Sequence, residues 1–306
     1  MNLRAIAITP AARAWLARPA RARVLNVFER ACNLVDERGE VLAVVTSERG
    51  LTPFAVMVPA LDRAPFRGLT ETSEIVVAPS ALRLGLVAIE TTGARLWDPA
   101  PDWPAIRPLF AGPEALEALA AGADGRGPAG SLLELFDPAE PASALPAAVR
   151  DRARAGALAL VAGWRAGSLE MAAAGARRLA GLGGGLTPAG DDFILGTLLG
   201  AWAGLYGTAA RDAAAMAEGI AEAAAPLTTT LSAAYLRSAA RGECSAYWHD
   251  LFAALVRREP AGVQPALSAL LAVGHTSGAD ALAGFLAARG WMCIVRGRPL
   301  PAAQNR

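Results

Sequence analysis

Hydrophobic positions follow two rhythms along this chain, and the change falls near residue 100. Before it, apolar and β-branched residues come in short runs: Val24 to Val35, Val41 to Thr46, Phe54 to Val58, Glu74 to Ala78, Leu84 to Glu90 and Ala94 to Trp97. Gly or Pro lies near most of the breaks, and Asp36-Glu37-Arg38-Gly39 has the composition of a turn. Runs of this length and spacing predict short strands packed as a small antiparallel sandwich or barrel. Thr9-Pro10 ahead of an alanine-rich stretch predicts a capped helix reaching Ala17.

The stretch Asp98 to Pro104 holds three prolines in seven residues. Proline ends regular structure on both sides, so this stretch reads as a linker. Beyond it alanine and leucine dominate and β-branched residues thin out. Glycines and prolines then divide the chain into predicted helices over Pro113–Ala121, Ser131–Phe136, Ala142–Gly156, Leu158–Leu179, Asp191–Tyr206, Ala209–Ala224, Thr229–Ala240, Tyr247–Arg257, Pro265–Val273 and Gly278–Arg289. The expected fold class is α+β. A β-rich N-terminal domain over residues 1–104 precedes a mostly α-helical domain over residues 105–306.

Composition narrows the classes of function. Hydrophobic residues make up 54% and charged residues 19%, which excludes a disordered chain. The net charge of +1 leaves no basic footprint, so nucleic acid is not an expected partner. All 29 basic residues are arginine. Without lysine the chain has no Schiff base and no P-loop cation, and arginine alone remains to fork onto phosphate or carboxylate. Cys32, Cys244 and Cys293 are few, odd in number and far apart, which fits a reducing cytoplasm better than a disulfide framework. Pro10 and Arg13 interrupt what would be the apolar core of a signal peptide. The most apolar run, Phe193 to Gly207, falls short of the ~18–20 residues that span a bilayer. The expectation is a cytoplasmic protein with no membrane contact.

The most unusual segment is Gly181-Leu-Gly-Gly-Gly-Leu-Thr-Pro-Ala-Gly-Asp-Asp192. Four of its first five residues are glycine, so backbone N–H groups are exposed and a ligand can approach closely. Thr187 reads as an N-cap with Pro188 at the first helical position. A glycine loop running into a helix N-terminus is a natural anion site. Gly274-His-Thr-Ser-Gly-Ala-Asp280 repeats the grammar: Gly-x-Thr, then Gly, then Asp, then an apolar helix with glycine four residues on, at Gly196 and Gly284. The repetition reads as an old duplication or as convergent use of one helix-opening device. Gly183, Gly184, Gly185, Thr187, Gly190, Thr276 and Ser277 are candidate substrate-binding residues. Asp191, Asp192 and Asp280 are candidate catalytic groups or ligands of a divalent cation, and His275 is a candidate acid or base. Against this stands the plain reading, in which Thr and Asp cap ordinary helices and the glycines let helices pack.

The GLTP-x-GDD core within Gly181–Asp192 resembles the AllH-like family, with Ala189 where the family pattern has serine. Gly274–Asp280 is similar to that family's second signature, and Pro226-Leu-Thr-Thr-Thr-Leu-Ser232 and Arg30-Ala-Cys-Asn33 also match. The resemblance spans residues 20 to 290 approximately. It implies one subunit of a multi-chain oxamate carbamoyltransferase in allantoin degradation and purine catabolism. That enzyme interconverts oxalurate plus phosphate with oxamate plus carbamoyl phosphate, and its other subunits are the implied partners.

The leading expectation is therefore a carbamoyltransferase subunit that holds a small anionic substrate at the glycine-rich loop. Arg237 and Arg241, four apart on one predicted helix, are candidates to clamp a carboxylate. One alternative is a metal-dependent amide or glycosidic hydrolase built on the aspartates, with a divalent cation as cofactor. Another is a non-catalytic scaffold, for which six arginines against Glu29 in the first thirty residues offer a contact surface.

Overall fold

Alternating and β-branched runs form strands in the first part of the chain, and alanine-rich runs form helices in the second. The computed structural model describes residues 1–18, 21–60, 64–136, 146–204 and 210–290. Two compact units result. One is Met1–Pro101 joined by Cys244–Ala246; the other runs from Asp102 to Glu243 and resumes at Tyr247.

The first unit holds strands β1 (Asn2–Arg4), β2 (Ala7–Ile8), β3 (Ala22–Val27), β4 (Ala31–Asp36), β5 (Val41–Thr46), β6 (Ala55–Val58), β7 (Ile75–Ala78), β8 (Ala81–Leu84), β9 (Val87–Glu90) and β10 (Arg95–Leu96). They form two sheets, ordered β1-β9-β8-β7 and β10-β2-β6-β5-β4-β3. Leu82, Leu84 and Ile89 of the smaller sheet share one core with Val24, Leu34, Leu42, Val44, Val56 and Val58 of the larger. Strand β8 alternates exposed and buried, as a half-solvated strand must. β4 and β5 are buried at every position. Helix α1 (Pro10–Leu16) packs on β5 and β6, and Thr9 caps it through Ala12 N–H. The ladders are mixed: β1–β9, β10–β2 and β5–β6 are parallel. The apolar run Val24–Val35 breaks into β3 and β4, and Leu84–Glu90 is split by a turn at Gly85, whose φ is +53°. Cys32 is a buried core thiol on β4, while Arg30 pairs with Glu48.

The helical region contains α2 (Trp103–Ile106), α3 (Glu114–Ala123), α4 (Ala147–Arg165), α5 (Leu169–Leu179), α6 (Ala189–Gly204), α7 (Ala210–Ala224), α8 (Thr230–Ala240), α9 (Ala246–Val256), α10 (Pro260–Leu271) and α11 (Ser277–Ala288). The segment Leu132–Phe136 is a 3-10 turn. Gly156 does not end a helix; α4 runs through it, and the chain turns instead at Gly167, where Ser168 caps α5. The glycine serves packing. A Cβ at Gly163 would lie 2.2 Å from Ala172 N and one at Gly175 2.3 Å from Leu160 N, so α4 and α5 touch backbone to backbone. Helix α10 starts earlier than expected and carries Pro265 inside. Ala142, Tyr206, Ala209 and Cys293, which belonged to sequence-based expectations, lie outside the described residues. Among the described residues no helix is long and apolar enough to cross a membrane.

Candidate functional site

Helices α6 and α11 lie against one another through glycine. A Cβ at Gly196 would sit 1.7 Å from Ala281 O, and one at Gly284 would sit 1.9 Å from Phe193 O. The contact is reciprocal: each glycine lies four residues after an aspartate, Asp192 or Asp280, and meets the carbonyl just after the other aspartate. Further along, a Cβ at Gly200 would meet Phe285 O at 2.8 Å and Ala288 Cβ at 2.9 Å. Contacts therefore advance in the same direction along both helices, which run parallel with their N-termini at one end. The first turns are matched as well. Gly190 presses on Leu179 O at the end of α5 (2.0 Å from a built Cβ), and Gly278 on Leu270 O at the end of α10 (1.8 Å).

The two openings meet directly: Thr187 Oγ1 and Ser277 Oγ hydrogen-bond at 2.9 Å. Their loops differ. Gly190 N–H donates to Leu182 O and Gly278 N–H to Val273 O, and between these bonds the first loop is three residues longer. The longer loop carries the exposed Gly183-Gly184-Gly185, of which Gly185 corresponds to Gly274. Gly183 and Gly185 have φ of +114° and +88°, a region that favours glycine. Gly184 has neither excuse: its φ is outside that region and a Cβ there would meet nothing within 4 Å. Neither packing nor conformation requires glycine at 184, and a side chain there would only cover the loop's backbone.

Three buried carboxyls stand behind this loop. Asp191 accepts from Gly181 N–H at 3.0 Å and from the Thr228 hydroxyl, so it ties the loop to the segment before α8. Burial raises its pKa, and the bonds from Thr228, Gly181 and Ser232 oppose the rise. Asp192 is 7% exposed. Burial pushes its carboxyl well above the usual range; hydrogen bonds from Ser277 and Thr187 work against that, and the charges of Asp280 and Asp191 add to it. Asp280 is fully buried. Its Oδ1 accepts from Leu132 N–H at 2.6 Å. Burial lifts its pKa to about 6, opposed by Leu132 and by the Thr276 hydroxyl. Oδ2 of Asp192 and Oδ2 of Asp280 have no hydrogen-bond partner. Buried polar atoms are nearly always paired, so two orphans in one cluster set this place apart from an ordinary cap.

The structure thus gathers Gly183, Gly184, Gly185, Thr187, Gly190, Asp191, Asp192, Thr276, Ser277 and Asp280 at one end of α6 and α11. His275 lies in the second loop and is exposed. Thr276 occupies the N-cap position of α11 but makes no capping bond. Arg237 is placed elsewhere: on α8 it grips Glu222 of α7 through Nε at 2.7 Å and Nη2 at 3.1 Å. Arg241 pairs with Glu243, so the two arginines do not form one fork. Among the described residues no group of three or more His, Cys, Asp or Glu side chains is arranged to hold a metal ion. Each oxygen of Asp191 accepts one hydrogen bond, from Gly181 N–H and from the Thr228 hydroxyl.

Four participants were not named as site residues, although three of them lie in the Pro226–Ser232 segment already noted for its resemblance. Thr229 Oγ1 donates to Leu186 O at 2.6 Å and also caps α8 through Ser232 N–H. Thr228 holds Asp191, and Ser232 Oγ reaches Leu186 O at 3.4 Å. The threonine run before an apolar helix is an N-cap signal that marks this segment, though not its target. Leu132, 148 residues from Asp280, carries no signal at all.

No solved structure matches the chain. Two family models do. Residues 179–289, which contain both openings, match the family described as oxamate carbamoyltransferase subunit AllH, and residues 4–96 match the AllH family N-terminal domain. The chain belongs to the AllH family.

Proposed function

We propose that this chain is one subunit of a carbamoyltransferase of the oxamate type and that the Gly183–Gly185 loop binds its anionic substrate. The observation that carries the reading is Gly184, a glycine with open space around it and no conformational need, at the mouth of two parallel helix N-termini. Parallel helices present their positive ends together, and free N–H groups of a glycine loop suit phosphate or carboxylate oxygens. Carbamoyl transfer passes through a tetrahedral centre whose oxyanion the same kind of donors would stabilise. Membership of the family of oxamate carbamoyltransferase subunit AllH supports the subunit role. Partner subunits would complete the site and exclude water from a labile carbamoyl group.

The hydrolase reading would place a metal ion on Asp191, Asp192 and Asp280, and Asp191 also holds the loop through Gly181 N–H and the Thr228 hydroxyl. The test is to assay carbamoyl phosphate formation from oxalurate and phosphate, first with this chain alone and then with its partner subunits. The expected outcome is turnover in the assembly and little in the lone chain. Robust turnover by the lone chain would overturn the subunit reading; silence in both would overturn the reaction.

A further inference from the structure

We infer that Asp192 and Asp280 together hold one divalent cation of the Mg²⁺ or Mn²⁺ kind between α6 and α11, and that this ion supplies the positive charge for the anion at the glycine loop. The cation site is argued from the two helices alone. Its service to the anion rests on the reading of the loop as an anion site.

Helices α6 and α11 run in register. A Cβ at Gly200 would meet Ala288; one turn back, Gly196 and Gly284 each press on the sister helix; one further turn back stand Asp192 and Asp280. Residues four apart share a helix face, so both aspartates lie on the faces that the glycines bring together. Backbones too close to admit a Cβ at Gly196 or Gly284 cannot part far within one turn, and the Thr187–Ser277 bond of 2.9 Å closes the openings beyond. The two carboxyls are held between that crossing and that bond. Both are buried, and Oδ2 of each has no hydrogen-bond partner. Leu132 N–H occupies Oδ1 of Asp280, and Oγ of the preceding residue, Ser131, is a third buried oxygen without a partner. Asp191 is turned to Gly181 N–H and the Thr228 hydroxyl.

Buried charges are paired or coordinate metals. The unpaired atoms here are all oxygens, which suit Mg²⁺ and Mn²⁺ rather than softer ions. Two carboxylates are fewer than a cluster of three acidic or imidazole ligands. They are, however, what an ion of the Mg²⁺ kind takes from a protein, its shell being completed by water and substrate phosphate. The loop gives a second reason. An anion held near two carboxylates is repelled by them, and Arg237 and Arg241 spend their charge on Glu222 and Glu243. A bound cation reverses the sign of that local field.

Mn²⁺ is the probe, since its paramagnetic resonance signal is lost on binding. The full chain, treated with chelator and then titrated, is expected to take up one ion that excess Mg²⁺ displaces. Asp192→Asn and Asp280→Asn keep the side-chain shape, and each should weaken Mn²⁺ by at least the about tenfold that even an indirect partner of a metal can cost. Asp191→Asn should keep the ion, with cooperative melting as the check that each variant is folded. Inorganic phosphate should tighten Mn²⁺ about tenfold, and Mn²⁺ should tighten phosphate by the same factor, because coupling is reciprocal. No saturable site in the wild type at millimolar Mn²⁺ would overturn the cation site whatever the variants do, and would leave the anion reading to its own phosphate titration. Unchanged affinity in Asp192→Asn and Asp280→Asn, or an equal loss in Asp191→Asn, would overturn the assignment to this pair. Mn²⁺ binding without effect on phosphate would overturn the link between ion and loop. A wild type that binds Mn²⁺ but no phosphate would sink the anion reading and that link, while upholding the cation site.

Discussion

Between Leu179 and Gly196, and again between Leu270 and Gly284, the chain solves one packing problem twice. In both copies a glycine in the first helical turn presses on the carbonyl end of the preceding helix, and a second glycine receives a carbonyl of the sister helix. What differs is the loop. The first copy is three residues longer, exposes Gly183-Gly184-Gly185, and has Asp191 where the second has Ala279; the bonds of Asp191 anchor this loop to Gly181 and Thr228. The second copy is tight, and its aspartate turns inward to Leu132 N–H. The shared frame is a packing device, and the unshared loop is where the proposed site lies.

The frame is the part whose loss should cost most. Gly196→Ala and Gly284→Ala each force a Cβ into backbone less than 2 Å away. Each is expected to destabilise by about 3 kcal/mol or more, at the upper end of overpacking effects, because backbone cannot rotate aside. The two losses should be nearly equal in chemical denaturation. A large inequality would show that the reciprocal contact is not the common frame.

Asp280→Asn should act in the opposite direction and depend on pH. The folded protein holds this proton more tightly than the unfolded chain, whose carboxyl titrates near 3.8. Its favourable contribution is complete below pH ~4 and is lost as pH rises through about 6. At pH 7 the wild type therefore carries a buried charge that asparagine lacks, while the amide oxygen can still accept from Leu132. The gain is at most about 3 kcal/mol, at ~1.4 kcal/mol per pH unit. Melting temperatures at pH 4 and pH 7 check it: the variant should lead at pH 7 and lose that lead at pH 4.

Asp191→Ala leaves Gly181 N–H and the Thr228 hydroxyl without their acceptor, so a loss of about 1–3 kcal/mol is expected, with weaker ligand binding. Asp192→Asn should cost less stability than this, because Asp192 already carries an unpaired oxygen. The reverse order in thermal melts would exchange their roles. Arg237→Gln should change stability by less than about 1 kcal/mol, since its bond to Glu222 is solvent-exposed. A loss of ligand affinity in that variant would return Arg237 to the site.

The openings were legible because their chemistry is local. Gly-x-Thr, Gly and Asp recur in register, and registers that repeat in sequence can repeat in space. Thr9-Pro10 and Val41–Thr46 were legible for the same reason, as a cap and an apolar run that needs no distant partner. What stayed hidden depends on long-range pairing. Strand β1 is three residues long and is fixed by the parallel ladder to β9, 86 residues away. Gly156 looked like a helix breaker, because glycine is written the same way whether it ends a helix or lets α5 approach. Arg237 and Arg241 share a predicted face, but Glu222 and Glu243 decide where their forks go.

The central claim is that the glycine stretch 183–185 makes one of two similar openings an anion site. Calorimetric titration of inorganic phosphate into the full chain, compared with a variant lacking Gly183–Gly185, addresses it most directly. The deletion gives the first loop the length of the second and leaves Leu182, Gly190 and the glycine contacts in place. The account expects a single phosphate site in the wild type that is absent from the variant, with both proteins melting cooperatively. Equal phosphate affinity in the two, or no affinity in the wild type, would contradict it.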